Sequence, residues 1–223
     1  MRTMLPHMPM PLLILVSAVF IHLAAIALMG KMIGVKLHVF SLGVGPAILT
    51  LGRFRLSAIP TGGYVRFRDS TQDIVPPGEM NTALDGRTTL EQLVVALSGC
   101  VVLFALGLVL AGADGLHAFL CLPQQLFSGV ISPFERAPAL INSSLAFMRL
   151  APHGILAGTV CAKLAALNLL PLPGMNGGAA LRIIGIRIGA AKWWPDAATR
   201  ALTLVYVALL LGWCLALIVF LLA

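Results

Sequence analysis

Asn168-Leu169-Leu170-Pro171-Leu172-Pro173-Gly174-Met175-Asn176-Gly177-Gly178 closes an apolar run that begins at Ile155. Two prolines and three glycines follow directly on a hydrophobic segment. Pro171 and Pro173 cannot continue a helix, because proline lacks the amide hydrogen and its ring clashes with the preceding turn. Inside an apolar region, a broken backbone must have its polar groups met by neighbouring protein or by a wet cavity. The stretch therefore marks a site at membrane depth, and its surroundings decide what kind.

Those surroundings are those of a membrane protein. The 223 residues are 59% hydrophobic and 10% charged, against about 25% charged in soluble domains. Four apolar stretches, 12–30, 93–113, 155–172 and 201–223, approach the roughly 20 residues that a helix needs to cross a bilayer. The expectation is an all-α polytopic membrane protein, a single domain over 1–223. It has about four transmembrane helices and a small membrane-associated β-element between the first and second. The first stretch reads as a retained span, since it is long for a signal peptide, carries His22 and leads into no small-residue cleavage site.

The net charge of +7 is a topology signal and does not point to nucleic acid. Seven of the 15 Lys and Arg fall within 31–87 and four within 182–200, with only Arg2, Arg136 and Arg149 on the other side. The positive-inside rule then places both termini outside a bacterial plasma (inner) membrane and the two basic connections in the cytoplasm. Trp193 and Trp194 suit an interfacial belt at that face. Cys100, Cys121, Cys161 and Cys214 form no CxxC pair and read as small hydrophobes.

Between the first two spans, Val35, Leu37 and Val39 alternate with Lys36 and His38, the period of a strand. Arg53-Phe54-Arg55-Leu56-Ser57-Ala58-Ile59 and Tyr64-Val65-Arg66-Phe67-Arg68 are further extended candidates, joined through Pro60 and Gly62-Gly63. A polar loop is expected over 69–87. Across 114–154, apolar runs broken by Pro123, Pro133, Pro138 and Pro152 suggest interfacial helices on the outer face.

Several of these motifs, taken in order, resemble the site-2 protease family of intramembrane zinc metalloproteases. The family's Asn-x-x-Pro-x-Pro-x-x-Asp-Gly-Gly is matched from Asn168 to Gly178, with Asn176 in place of the aspartate. Its His-Glu-x-x-His is represented by His22-Leu23-Ala24-Ala25-Ile26. Gly34-Val35, Phe40-Ser41-Leu42-Gly43-Val44-Gly45 and Pro60-Thr61-Gly62-Gly63-Tyr64-Val65 are similar to further family elements. The likeness runs over about 12–185, with no stretch long enough for the PDZ domains that some members insert. The family's Gly-Pro-x-x-Asn reads Gly99-Cys100-Val101-Val102-Leu103, keeping only the glycine.

His-Glu-x-x-His serves zinc because residues four apart share one helical face, with the glutamate as general base. Set against that motif, Leu23 stands at the base position, Ile26 at the second ligand and the neutral Asn176 at the third. The resemblance therefore implies a degenerate, catalytically inactive homologue: no catalytic residue, and no zinc. Gly62, Gly63, Tyr64, Asn168, Pro171 and Pro173 correspond to elements that lie beside substrate in the family. They imply a pseudoprotease that binds or scaffolds a membrane protein partner in the lipid bilayer. The alternative is an active intramembrane zinc metalloprotease with an atypical metal site; a transport component ranks below both. His38 is the one other histidine placed to approach His22. Lys163, a charge inside a span, is costly there and is expected to face a partner or a cavity.

Overall fold

The computed structural model describes residues 9–189 and 196–222. The first helix, α1 (Pro9–Met32), is apolar on every side. It stops at Gly34, whose φ of +83° few other residues adopt. The amide of Val35 closes back on the Gly30 carbonyl at 2.9 Å, the usual way of satisfying a helix's last carbonyls.

The strand periodicity beyond it produces β1 (Leu37–Leu51) and β2 (Phe54–Phe67), a two-stranded antiparallel sheet with repeated register shifts. Phe40, Ser41 and Leu42 each have two partners, Val65 and Phe54, Tyr64 and Arg55, Gly63 and Leu56, so the ribbon is locally three strands wide. Phe67 packs with Ile26, Val35 and Val95, and Phe40 with Val19 and Leu23, which fixes the sheet against α1. The polar segment after β2 is clasped to it. Arg66 donates to Asp73 at 2.9 Å, and Arg68 reaches Glu79 at 2.6 Å and Thr82 at 2.8 Å.

Helix α2 (Thr89–Ile131) opens with a capping box, in which the Thr88 hydroxyl accepts from the Glu91 amide and the Glu91 carboxylate accepts from the Thr88 amide. It is bent at Gly112 (φ 52°, ψ −126°). Beyond that residue the chain folds back, since a Cβ on Gly115 would strike the carbonyl of Gly107. The remaining helices are α3 (Arg136–Leu150), α4 (His153–Asn168), α5 (Asn176–Arg187) and α6 (Asp196–Leu222). Small residues let α4 lie close along α2: Gly107 faces Ala162 and Gly158 faces Ala111. Leu103, Ala18, Cys161 and Ala165 form the core where α1, α2 and α4 meet. Helix α6 is tied to the returning half of α2 by Trp213 Nε1 donating to the Leu126 carbonyl at 3.1 Å.

One expectation changes. Among the described residues, three helices are long and apolar enough to cross a membrane, within 10–32, 89–131 and 199–222. The count of four is not confirmed, because α4 has only 16 residues, about 24 Å at 1.5 Å per residue against roughly 30 Å of hydrocarbon. The segment 114–131 is a helix of its own, joined to the first half of α2 through the non-helical Gly112. Trp193 and Trp194 lie outside the described residues.

The clasp yields a pH prediction. The Arg68 hydrogen bond, then the charges of Arg68 and Lys36, hold the Glu79 carboxyl below its usual value. A depressed carboxylate stabilises the folded form above its unfolded pKa, and that contribution is lost as pH falls through the folded value. Protection factors over 77–82, exchange rates corrected for the intrinsic pH dependence, are expected to fall on acidification below the ordinary glutamate range, and Glu79→Gln should remove that dependence while leaving the rest of the protection map unchanged.

Candidate functional site

His22 and Asn176 stand 154 residues apart in sequence and meet in space. His22 lies on the middle of α1 and is 5% exposed. Asn176 is the first residue of α5. The break read from the two prolines supplies the geometry: α4 ends at Asn168, the chain turns through 169–175, and α5 begins. The turn bonds its own backbone, with the Leu170, Leu172 and Met175 amides donating to the carbonyls of Leu167, Leu170 and Leu172. Gly177 and Gly178 then seat the first turn of α5 directly on the carbonyls of Leu169 and Leu172, where a Cβ would collide.

The amide group of Asn176 is oriented by a third element. Its Nδ2 donates to the Ala96 carbonyl of α2 at 2.5 Å, which turns Oδ1 toward His22 Nε2 at 3.1 Å. Nε2–H is therefore the donor and Nδ1 carries the lone pair, buried with no hydrogen-bond partner. Room for the ring comes from Gly99, where a Cβ would stand 2.5 Å from Nδ1.

Leu23 and Ile26 point elsewhere. Leu23 is 4% exposed and packs with Val19 and Phe40, its Cδ1 pressed against Gly63 of β2. Ile26, 8% exposed, packs with Val35, Phe67 and Val95. Both are core residues joining α1 to the sheet. Of the other positions singled out, Gly62, Gly63 and Tyr64 lie on β2, with Gly63 opposite Leu42 and Tyr64 opposite Ser41. Asn168 turns back on its own helix, donating to the Leu164 carbonyl at 2.9 Å. Pro171 and Pro173 shape the turn. His38 lies 3.3 Å from Asp73 and does not join His22. Two contributors have no motif to announce them. Ala96 acts through a backbone acceptor, which carries no residue signature. Gln125, which accepts from Lys163 Nζ at 3.0 Å, stands beside Gln124 in an apolar run.

Nε2 and Oδ1, 3.1 Å apart, are close enough to be two ligands of one ion bonded at about 2.0–2.2 Å. A catalytic zinc centre takes three protein ligands, and no group of three His, Cys, Asp or Glu side chains converges among the described residues. His22 and Asn176 supply two of those three donors.

A buried histidine on the first span, bonded to the residue preceding Gly-Gly after a Pro-x-Pro break, defines the class. The chain belongs to Peptidase family M50, whose model matches residues 10–213. A putative zinc metalloprotease of Pasteurella multocida is 33% identical over 76 residues, 32% of this chain and 17% of that protein. The regulator of sigma E protease of Haemophilus influenzae is 34% identical over 71 residues, 30% of this chain and 16% of the relative. A probable membrane metalloprotease of Arabidopsis thaliana is 27% identical over 127 residues, 54% and 28% respectively. The matched segments thus span less than a third of these relatives.

These findings correct two expectations, that the chain is no enzyme and that it lacks zinc. It belongs to a family of peptidases, and relatives it matches carry the name zinc metalloprotease. An incomplete donor set among its side chains does not make it a non-enzyme.

The packing makes its own prediction. Leu23→Glu buries an uncompensated carboxylate, or forces it to be protonated, and is expected to lower the thermal midpoint in detergent sharply. Leu23→Met, close in volume, costs under about 1.5 kcal/mol. Equal midpoints for the two variants would mean that position 23 faces water.

Proposed function

We propose that this chain is an intramembrane metalloprotease of the M50 family with an atypical metal site, acting on a membrane-embedded polypeptide. The observation that carries the reading is the meeting of His22 and Asn176 where the family's first-span and Asn-x-x-Pro-x-Pro elements converge. The chain's own residues contribute positioning. Ala96 orients Asn176, Gly99 admits the imidazole, and the turn at 169–175 seats Asn176 at the start of α5.

The sheet supports an extended substrate. Gly63 and Tyr64, next to Gly62, pair on one side with Leu42 and Ser41, and among the described residues no further strand pairs with their far side. An edge of this kind accepts an unwound peptide by strand addition, with main-chain hydrogen bonds supplying affinity. The clustering of basic residues on 31–87 and 182–200 supports an orientation with those connections in the cytoplasm and both termini outside.

The test is metal analysis of the purified chain, together with cleavage of a single-span substrate in liposomes. Bound zinc near one per chain is expected, with cleavage that a chelator abolishes, that zinc restores, and that falls at least about 100-fold in His22→Ala. Wild-type protein that neither retains a metal nor cuts any single-span substrate overturns the reading.

A further inference from the structure

His117, Cys121 and Gln125 recur every four residues on the returning half of α2, so they share one flank of that helix. Helix α4 meets this flank through Lys163, whose ammonium donates to Gln125 Oε1 at 3.0 Å. Its charge also lies within electrostatic reach of the Cys121 sulfur. One turn back along α2, His117 closes on the same atom: Cys121 Sγ stands 3.4 Å from Nε2 and 3.6 Å from Nδ1. One nitrogen of a neutral imidazole is an acceptor, so either tautomer leaves an acceptor within 3.6 Å of the thiol.

An ammonium at membrane depth is costly unless its charge is offset. Of the two groups found beside Lys163, Gln125 stays neutral and Cys121 alone can become an anion. The other three cysteines lack this setting. Cys100 and Cys161 are 1% and 5% exposed, and Cys161 belongs to the apolar core where α1, α2 and α4 meet. Cys214 of α6 is exposed, but the residues one turn away on its own helix, Leu210, Leu211, Leu217 and Ile218, are all aliphatic. Cys121 is partly exposed. Burial in apolar surroundings makes a thiol inert, whereas a base in reach and a cation beside it are the setting of a nucleophile.

We propose that Cys121 is a nucleophilic thiol, with His117 as its base and Lys163 as its counter-charge, that forms mixed disulfides with low-molecular-weight disulfides. The exchange needs no further reactant. His117 accepts the thiol proton, the Cys121 sulfur attacks one sulfur of the disulfide, and a new S–S bond forms as the old one breaks. The departing thiolate takes the proton back from His117, so one thiol and one disulfide give one thiol and one disulfide. The Lys163 ammonium offsets the charge on sulfur while it is anionic. The orientation proposed above puts the Gly112 bend, and Cys121 nine residues beyond it, toward the outer side, the kind of compartment in which disulfides persist. The site is built from α2 and α4 and does not depend on the chemistry at His22 and Asn176.

The probe is dithiodipyridine, a neutral disulfide that enters bilayers, added to the full chain in phosphatidylcholine vesicles. Adduct formation at each cysteine is followed by peptide mass spectrometry. Access alone favours the exposed Cys214, whereas a base in reach favours Cys121. Cys121 should react at least about 10-fold faster than Cys214, a modest part of what a positioned base contributes. His117→Ala should bring Cys121 down to the Cys214 rate or below it. Lys163→Met should slow Cys121 by about 3-fold, the scale of one charge pair, and Lys163→Arg should keep the wild-type rate. The Cys214 rate and the thermal midpoint, unchanged in each variant, separate loss of activation from loss of fold. Cys121 reacting no faster than Cys214 in the wild type, or at an unchanged rate in His117→Ala or Lys163→Met, overturns the proposal.

Discussion

Backbone amides and carbonyls inside an apolar slab have no water to bond, and this structure depends on how the turn after α4 meets that constraint. The chain reverses between Asn168 and Asn176 by bonding successive amides to carbonyls two or three residues back, and it seats α5 on the outcome through two glycines. Nothing larger than hydrogen fits at Gly177 or Gly178 without pushing α5 away from Leu169 and Leu172. Asn176 meets His22 because that seat is tight. The pairing of imidazole and amide is thus set by backbone packing several residues from either side chain.

The break at 169–175 was legible because proline and glycine act through their own backbone chemistry, which no tertiary context cancels. The same holds for the strands around Val39 and Tyr64, where alternation survives as β1 and β2. The end of the second apolar stretch at 113 fell beside the break at Gly112, but the reversal there was not legible. Gly112 sits in a continuous apolar run with no proline beside it, and its departure from helix follows from packing Gly115 on Gly107. Likewise, the His22–Asn176 contact followed from motif order, while the acceptor that orients it, the Ala96 carbonyl, belongs to a residue whose side chain says nothing.

Leu23 and Ile26 show how one helix face can serve two purposes. On α1, with His22 beside Leu23 and four residues before Ile26, they occupy positions that sequence alone reads as the remains of a metal motif. In the folded chain they glue α1 to the ribbon, Leu23 against Gly63 and Ile26 against Phe67 and Val95. Their hydrocarbon character is explained by what they touch, and the inference from missing polar atoms to missing activity does not follow from it. Family membership over 10–213 is the broader fact.

The contact of Gly158 with Ala111 brings the start of α4 beside the apex at Gly112. Everything between, the descending half of α2 and all of α3, is consequently a detour whose two ends touch. The far end of that detour is held as firmly as its ends, since Leu126 and Val130 pack against Leu170 and Leu172 of the turn and the Leu126 carbonyl holds Trp213 of α6. An insertion is therefore best tolerated in α3 and its connections, which stand outside that contact.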